Sequence, residues 1–220
     1  MKNTVIWDMD GTILNTLEDL KDSVNYAVVS HGFKPYNLQE IKAMLGNGIK
    51  VLMELAVPEG LNNPKFDDCF KTFQEYYQLH MNDKTRPYDG IPEVMEQLNR
   101  KGWKQAIVSN KIDSAVQKLA GTYYPFVDLA LGEKDGLKRK PHPDMVLAAL
   151  KKLGVTTDEA VYVGDSEVDL ATAKNSGLDC ISVAWGFREI QKLKTIGAKN
   201  IVETPKQLLK VLDKMQQPKN

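Results

Sequence analysis

The chain has 220 residues, 42% of them apolar and 26% charged, and its 29 Lys+Arg are matched by 29 Asp+Glu. That length suits one large domain or a domain carrying an insertion, and the charge balance leaves no basic field to draw nucleic acid or anionic lipid. No apolar run approaches the ~18 residues of a membrane span, no signal-peptide pattern opens the chain, and Cys69 and Cys180 stand alone, so the chain reads as cytoplasmic with reduced thiols.

The first element is an apolar strand over residues 4–8 that ends abruptly in Asp8-x-Asp10-Gly11-Thr12. An extended chain repeats every two residues, so both carboxylates point the same way and need something positive to hold them together. Residues 16–86 read differently. Leu20, Val24, Ala27 and Val28 form one helical stripe, started by Thr16 or a nearby polar cap. Two shorter helices, "QEIKAMLG" and "KVLMELAV", flank Gly46-Asn47-Gly48, which by default is a helix-to-helix turn. Phe66, Phe70, Phe73 and Tyr77 mark a longer helix whose aromatic stripe reads as local core. No strand is expected there, so 16–86 is read as an all-helical insertion, with 1–15 and 87–220 forming the rest.

From about residue 100, short apolar runs alternate with helical patterns. "KQAIVSN" precedes "DSAVQKLAG", "FVDLALG" precedes "PDMVLAALKKLG", and "AVYVGD" precedes "EVDLATAKNSG". "DCISVAWG" then leads to "REIQKLKTIG", "NIVE" to "PKQLLKVLDKM", and the chain closes on a short polar end, "QQPKN". Such alternation predicts an α/β, Rossmann-like parallel sheet with helices on both faces.

Three of the apolar runs finish in polar groups: Trp7-Asp8-x-Asp10, Val108-Ser109-Asn110 and Val163-Gly164-Asp165. In a parallel sheet all strand C-termini open on one edge, so these groups should converge there. Lys140, before Pro141-x-Pro143, is a fourth contributor, and Asp169 falls one turn into the helix after Asp165. Asp8, Asp10 and Asp165 offer the hard oxygens that Mg²⁺ prefers, and Lys140 and Ser109 are donors suited to phosphate oxygens. A metal on one side and a lysine on the other would stabilise a transferring phosphoryl group. Asp8 could then attack phosphorus, Asp10 could serve as general acid and base, and Gly11 would let the backbone turn close to the phosphate. A calcium loop is rejected, because its sixth and twelfth positions would be Ile13 and Asp19 and a strand precedes it. Taken singly, Ser109 reads as a strand-end cap and Asp169 as a helix first-turn acid. His31, His80 and His142 show no ligand spacing.

"DMDGT", Ser109 after an apolar strand, Lys140 before "PHPD", and "GDSEVD" at 164–169 occur in the order of the haloacid dehalogenase superfamily of phosphohydrolases, which the chain resembles over nearly its whole length. The resemblance implies Asp8 as nucleophile and Asp10 as acid/base. It implies phosphate-binding by Gly11, Ser109, Asn110 and Lys140. Magnesium would be held by Asp8, the Asp10 carbonyl and Asp165, with Asp169 in support, and the helical insertion would be a mobile cap. Asp10 argues for phosphate esters over halides or phosphonates. "MLGNGIK", "RPYDGIPEVMEQL" and "IVSNK" look like the phosphoglycolate phosphatase branch, in which Gly46, Asn47 and Gly48 would sit over the non-reacting part of a small substrate. Trp7 and Asn15 depart from the usual Phe and Asp. The resulting expectation is a Mg²⁺-dependent phosphatase acting on a small phosphorylated metabolite, 2-phosphoglycolate first, as a monomer or homodimer. A β-phosphoglucomutase-type phosphomutase, a pyrophosphatase and a non-catalytic phosphate-ligand binding protein are the alternatives.

Overall fold

The computed structural model describes residues 1–216; the last four residues of the polar end, 217–220, lie outside them. The chain divides into two compact units, Met1–Leu14 with Pro87–Asn220, and Asn15–Arg86.

The first unit is built on a six-stranded sheet. Its strands are β1 (Thr4–Trp7), β4 (Lys104–Ile112), β5 (Leu129–Glu133), β6 (Ala160–Gly164), β7 (Asp179–Val183) and β8 (Ile201–Val202), in the order β5-β4-β1-β6-β7-β8. Every neighbouring pair is parallel, and Trp7 of central β1 stands level with Ile107 on one side and Val163 on the other. Because side chains alternate across a strand, the apolar runs feed two cores at once. Val5, Trp7, Ile107, Val161 and Val163 join one cluster, and Ile6, Ala106, Val108, Ala160 and Tyr162 join the other. The first cluster is closed by α5 (Ile91–Arg100), α6 (Asp113–Tyr123) and α10 (Pro205–Gln216). The second is closed by α7 (Asp144–Leu153) and α8 (Glu167–Ser176). Full burial of such a Val or Ile contributes about 1.5–3 kcal/mol over leaving it exposed. Trp7 keeps its indole satisfied inside by donating to Gln105 Oε1 at 3.1 Å.

Helix α5 has no counterpart among the expected elements, although Ile91, Val94, Met95 and Leu98 form its buried face. Asp89-Gly90 and Pro92 at its start read locally as a turn, and burial of the apolar stripe decides the matter. A short helix, α9 (Ile190–Thr195), follows β7.

The second unit carries α1 (Leu17–Ser30), α2 (Leu38–Met44), α3 (Gly48–Ala56) and α4 (Phe66–His80). Its core holds Leu20, Val24, Ala27, Val28, Ile41, Leu52, Met53, Phe66, Phe73 and Tyr77. Thr16 makes no side-chain cap to α1; the neighbouring Asn15 does, accepting from the Leu17 N–H at 3.4 Å. Buried Asp19 accepts the main-chain N–H groups of Lys84 and Thr85 at 2.8–3.1 Å. Two short strands, β2 (Leu14–Asn15) and β3 (Arg86–Pro87), pair as a separate sheet. Arg86 is therefore extended, at the margin of a stretch read as wholly helical.

Candidate active site

At the C-terminal edge of the sheet, the Asp8 N–H still donates to Val163 O at 2.9 Å, which fixes Asp8 in register. The chain then doubles back: the carbonyl of Met9 accepts from the N–H groups of Thr12, Ile13 and Leu14. Gly11 sits inside this loop at φ +85°, where a Cβ would stand 2.6 Å from Asp165 Oδ2, so both backbone and space demand glycine. At the end of neighbouring β6, a Cβ at Gly164 would strike Asp169 Cβ, so this glycine lets α8 start close to the strand end.

Lys140 is the hub. Its Nζ donates to Asp8 Oδ1 at 2.7 Å, to Asp169 Oδ1 at 2.8 Å and to the Tyr162 hydroxyl at 3.0 Å. Its backbone is clipped by Asn110, whose Oδ1 accepts from Lys140 N at 2.7 Å and whose Nδ2 donates to Lys140 O at 3.0 Å. The Asn110 side chain, expected on phosphate, is engaged with the Lys140 loop instead. Burial works against the charge on Lys140, yet Asp169 and Asp8 outweigh it and raise the ammonium well above its ordinary range.

Asp165 and Asp169 flank the first turn of α8. Asp169 Oδ2 accepts from Asp165 N, Ser166 N and Ser166 Oγ at 3.2, 3.0 and 2.6 Å, while its Oδ1 takes Lys140 and Tyr162. Five donors fill the lone-pair capacity of one carboxylate, so Asp169 supports its neighbours and has little left for a metal. Asp165 is less committed: Oδ1 accepts from Thr12 Oγ1 at 3.3 Å and Oδ2 from the Phe187 N–H at 2.6 Å. Asp8, Asp165 and Asp169 each bring a carboxylate oxygen within 4.8 Å of the others.

The carboxyls differ in proton affinity. Burial first, then the charge of Asp169, pushes Asp8 well above the usual carboxylate range and Asp165 up to about 7. Burial acts on Asp169 too, but Lys140 overrides it and holds that group below its ordinary value. Including Asp10 and Lys111, four carboxylates face two ammoniums. The two uncompensated negative charges, in a set of hard oxygen donors, fit one divalent cation held by Asp8 and Asp165.

Asp10 lies beyond the Asp8 turn, with Lys111 Nζ at 2.8 and 3.1 Å from its two oxygens. Strand β4 does not stop at Ser109-Asn110 but continues to Ile112, with a register shift after Val108. Ser109 is buried, and its Oγ accepts from the Lys111 N–H at 3.3 Å. Asp8, Lys140, Asp165 and Asp169 are thus in one constellation, with Gly11 against Asp165 and Asn110 behind Lys140. Gly46, Asn47 and Gly48 belong to the helical unit, at the junction of α2 and α3, with Gly46 and Gly48 at positive φ.

Sequence reasoning assigns no role to Lys111, Thr12, Tyr162 or the Phe187 main chain. A lysine directly after Ser-Asn and a hydroxyl inside the apolar run "AVYVGD" are signals that could have found two of them. The Phe187 N–H leaves none, since nearly every residue supplies one.

The relatives that share this sheet and site make the chain a phosphoric monoester hydrolase. The chain belongs to the haloacid dehalogenase-like hydrolase family, whose model matches residues 5–183, and it falls in the phosphoglycolate phosphatase-like branch. A crystal structure of a candidate phosphoglycolate phosphatase from Lactobacillus delbrueckii subsp. bulgaricus is 39% identical, with a TM-score of 0.92, covering 96% of this chain and 99% of that one. The phosphoglycolate phosphatase of Cereibacter sphaeroides is 31% identical over 84% of this chain and 86% of its own length. The N-acetylmuramic acid 6-phosphate phosphatase of Pseudomonas aeruginosa is 28% identical over 96% and 94%. No helix among the described residues is long and apolar enough to cross a membrane.

Proposed function

We propose that this protein is a Mg²⁺-dependent phosphatase that hydrolyses a small phosphomonoester through an aspartyl-phosphate on Asp8, with 2-phosphoglycolate the first candidate substrate. The observation that carries the reading is the Asp8 carboxylate at a strand end, 2.7 Å from Lys140 and grouped with Asp165. Bound Mg²⁺ would supply positive charge to the phosphoryl oxygens. Lys140 also supplies positive charge, keeps Asp8 aimed, and favours its ionised form against burial. Asp10 gives a proton to the leaving alcohol and takes one from the hydrolytic water. Ser109 serves the phosphoryl group, while Gly11, whose own N–H is given to Leu14 O at 2.9 Å, shapes the loop beside it rather than donating to the phosphate. The helical unit acts as a cap whose Gly46-Asn47-Gly48 turn meets the rest of the substrate.

The names of the Cereibacter and Lactobacillus proteins support phosphoglycolate. The Pseudomonas name supports a sugar phosphate as the second reading. Both compounds are phosphate esters of primary alcohols, whose poor leaving groups call for an acid such as Asp10. The test is a phosphate-release screen with magnesium over small phosphomonoesters, these two included. Stoichiometric release from 2-phosphoglycolate, silenced by a chelator and restored by Mg²⁺, is expected. Activity indifferent to chelation would overturn the metal-dependent site, and phosphoryl return to a sugar without phosphate release would make the protein a mutase.

A further inference from the structure

The Lys111 side chain is 1% exposed, yet its ammonium meets both oxygens of Asp10. The backbone is bent to bring it there. Pairing of β4 with β5 shifts register between Val108 and Ile112, and the Lys111 carbonyl passes so near Gly132 that a Cβ there would lie 2.6 Å away. Burying an ammonium is costly, and an apolar side chain of similar length would pack at less expense. Stability alone therefore does not call for an ion pair at this place in the fold, since two apolar side chains would serve as well. The Asp10 side chain stays 22% exposed, so the pair is layered, with the cation inside and the carboxylate outward.

We propose that Lys111 is a positioning residue for Asp10, fixing the direction in which its carboxyl delivers a proton to the ester oxygen of the substrate. The inference rests on the phosphatase reading above. In that step a bond forms between an Asp8 oxygen and phosphorus, and the bond from phosphorus to the ester oxygen breaks. The proton of the Asp10 carboxyl passes to that oxygen, and the alcohol leaves. Lys111 Nζ reaches both Asp10 oxygens; when the carboxyl is protonated the nearer oxygen, at 2.8 Å, keeps that bond and the farther, at 3.1 Å, carries the proton. A carboxyl that swings freely meets the ester oxygen in few of its orientations, and misplacement by an ångström costs about 100-fold in rate.

The test compares wild type, Lys111→Met, Asp10→Asn and the double variant on 2-phosphoglycolate and on 4-nitrophenyl phosphate, with Mg²⁺ present. In Lys111→Met, kcat on the alkyl ester should fall roughly 10–100-fold, with KM little changed. On the aryl ester, whose phenolate departs without a proton, the loss should stay within about threefold. The melting temperature should fall less than in Lys140→Met, because the Asp10 carboxylate left behind is 22% exposed, and Lys111→Met should add nothing to Asp10→Asn. Equal losses on both esters, or additive losses in the double variant, would overturn the proposal. Crystal structures of wild type and Lys111→Met give an independent arm: an unchanged, single Asp10 conformer also overturns it. Should wild type hydrolyse neither ester, the phosphatase reading fails by itself, and the Asp10 conformer still decides whether Lys111 positions it.

Discussion

Lys140 and Asp8 are separated by 132 positions in the chain, and their Nζ and Oδ1 atoms lie 2.7 Å apart with both residues buried. The same ammonium meets Asp169 at 2.8 Å, so one cation balances two buried carboxylates. Replacing Lys140 with Met leaves Asp8 and Asp169 without their counter-charge. Removing one partner of a buried ion pair costs about 3–5 kcal/mol. Urea denaturation of the metal-free protein should show a loss of that size, and turnover should collapse with it. A variant as stable as wild type would mean that the constellation is not held by charge.

Asp8→Asn tests the chemistry with little change of shape. The amide keeps the size of the carboxylate but cannot displace an ester oxygen from phosphorus. Turnover should drop by at least about 10³-fold, with the circular dichroism spectrum unchanged. Sustained activity would move the nucleophile to another side chain.

The parts of this site that were legible are those in which residue type and location coincide. Val5-Ile6-Trp7 and Val161-Tyr162-Val163 are apolar runs, and Asp8 and Asp165 stand just past them, where a parallel sheet opens its ligand-binding edge. Asp169 follows by one helical turn, and Lys140 stands out through its prolines. Lys111 was marked only by its place after Ser-Asn, and its use was concealed, because a bulge carries β4 past its apolar run and makes an interior position look like a strand exit. Asn110 was legible in type and not in use: an amide suits phosphate, but this one spends both its polar atoms on the Lys140 backbone. Helix α5 was hidden by the turn residues at its start, and the Phe187 contact is made by the main chain, to which composition is blind.

Gly11 couples the first loop to the Asp165 carboxylate. Alanine there must hold φ near +85°, at a cost of about 1–2 kcal/mol for an L-residue. Its Cβ would also press on Asp165 Oδ2 from 2.6 Å. Gly11→Ala should therefore lower the urea midpoint and weaken Mg²⁺ binding in calorimetric titration. Loss of stability with unchanged metal affinity would show that the contact does not reach the ligand oxygens.

With Mg²⁺ held by Asp8 and Asp165 as proposed, the acidity of Asp165 would set the pH dependence of its binding. Its carboxyl is pushed up to about 7 by burial and by Asp169, and Asp8 is raised by the same two causes. Both hold protons more tightly in the folded chain than in the unfolded one. Metal-free protein thus has this contribution in full below the unfolded carboxylate range, near pH 4, and loses it as pH climbs through about 7. A divalent cation competes with those protons, so Mg²⁺ affinity should rise about tenfold per pH unit per proton displaced as pH climbs toward 7. Calorimetry at pH 6 in buffers of different ionisation enthalpy should register proton release. The increase in melting temperature produced by magnesium should grow from pH 5.5 to 8 in wild type and grow less steeply in Asp165→Asn, where only Asp8 still exchanges a proton for the metal. If the wild-type increment is the same at both ends of that range, Asp165 does not exchange a proton for the metal, and the ion must be held by other oxygens.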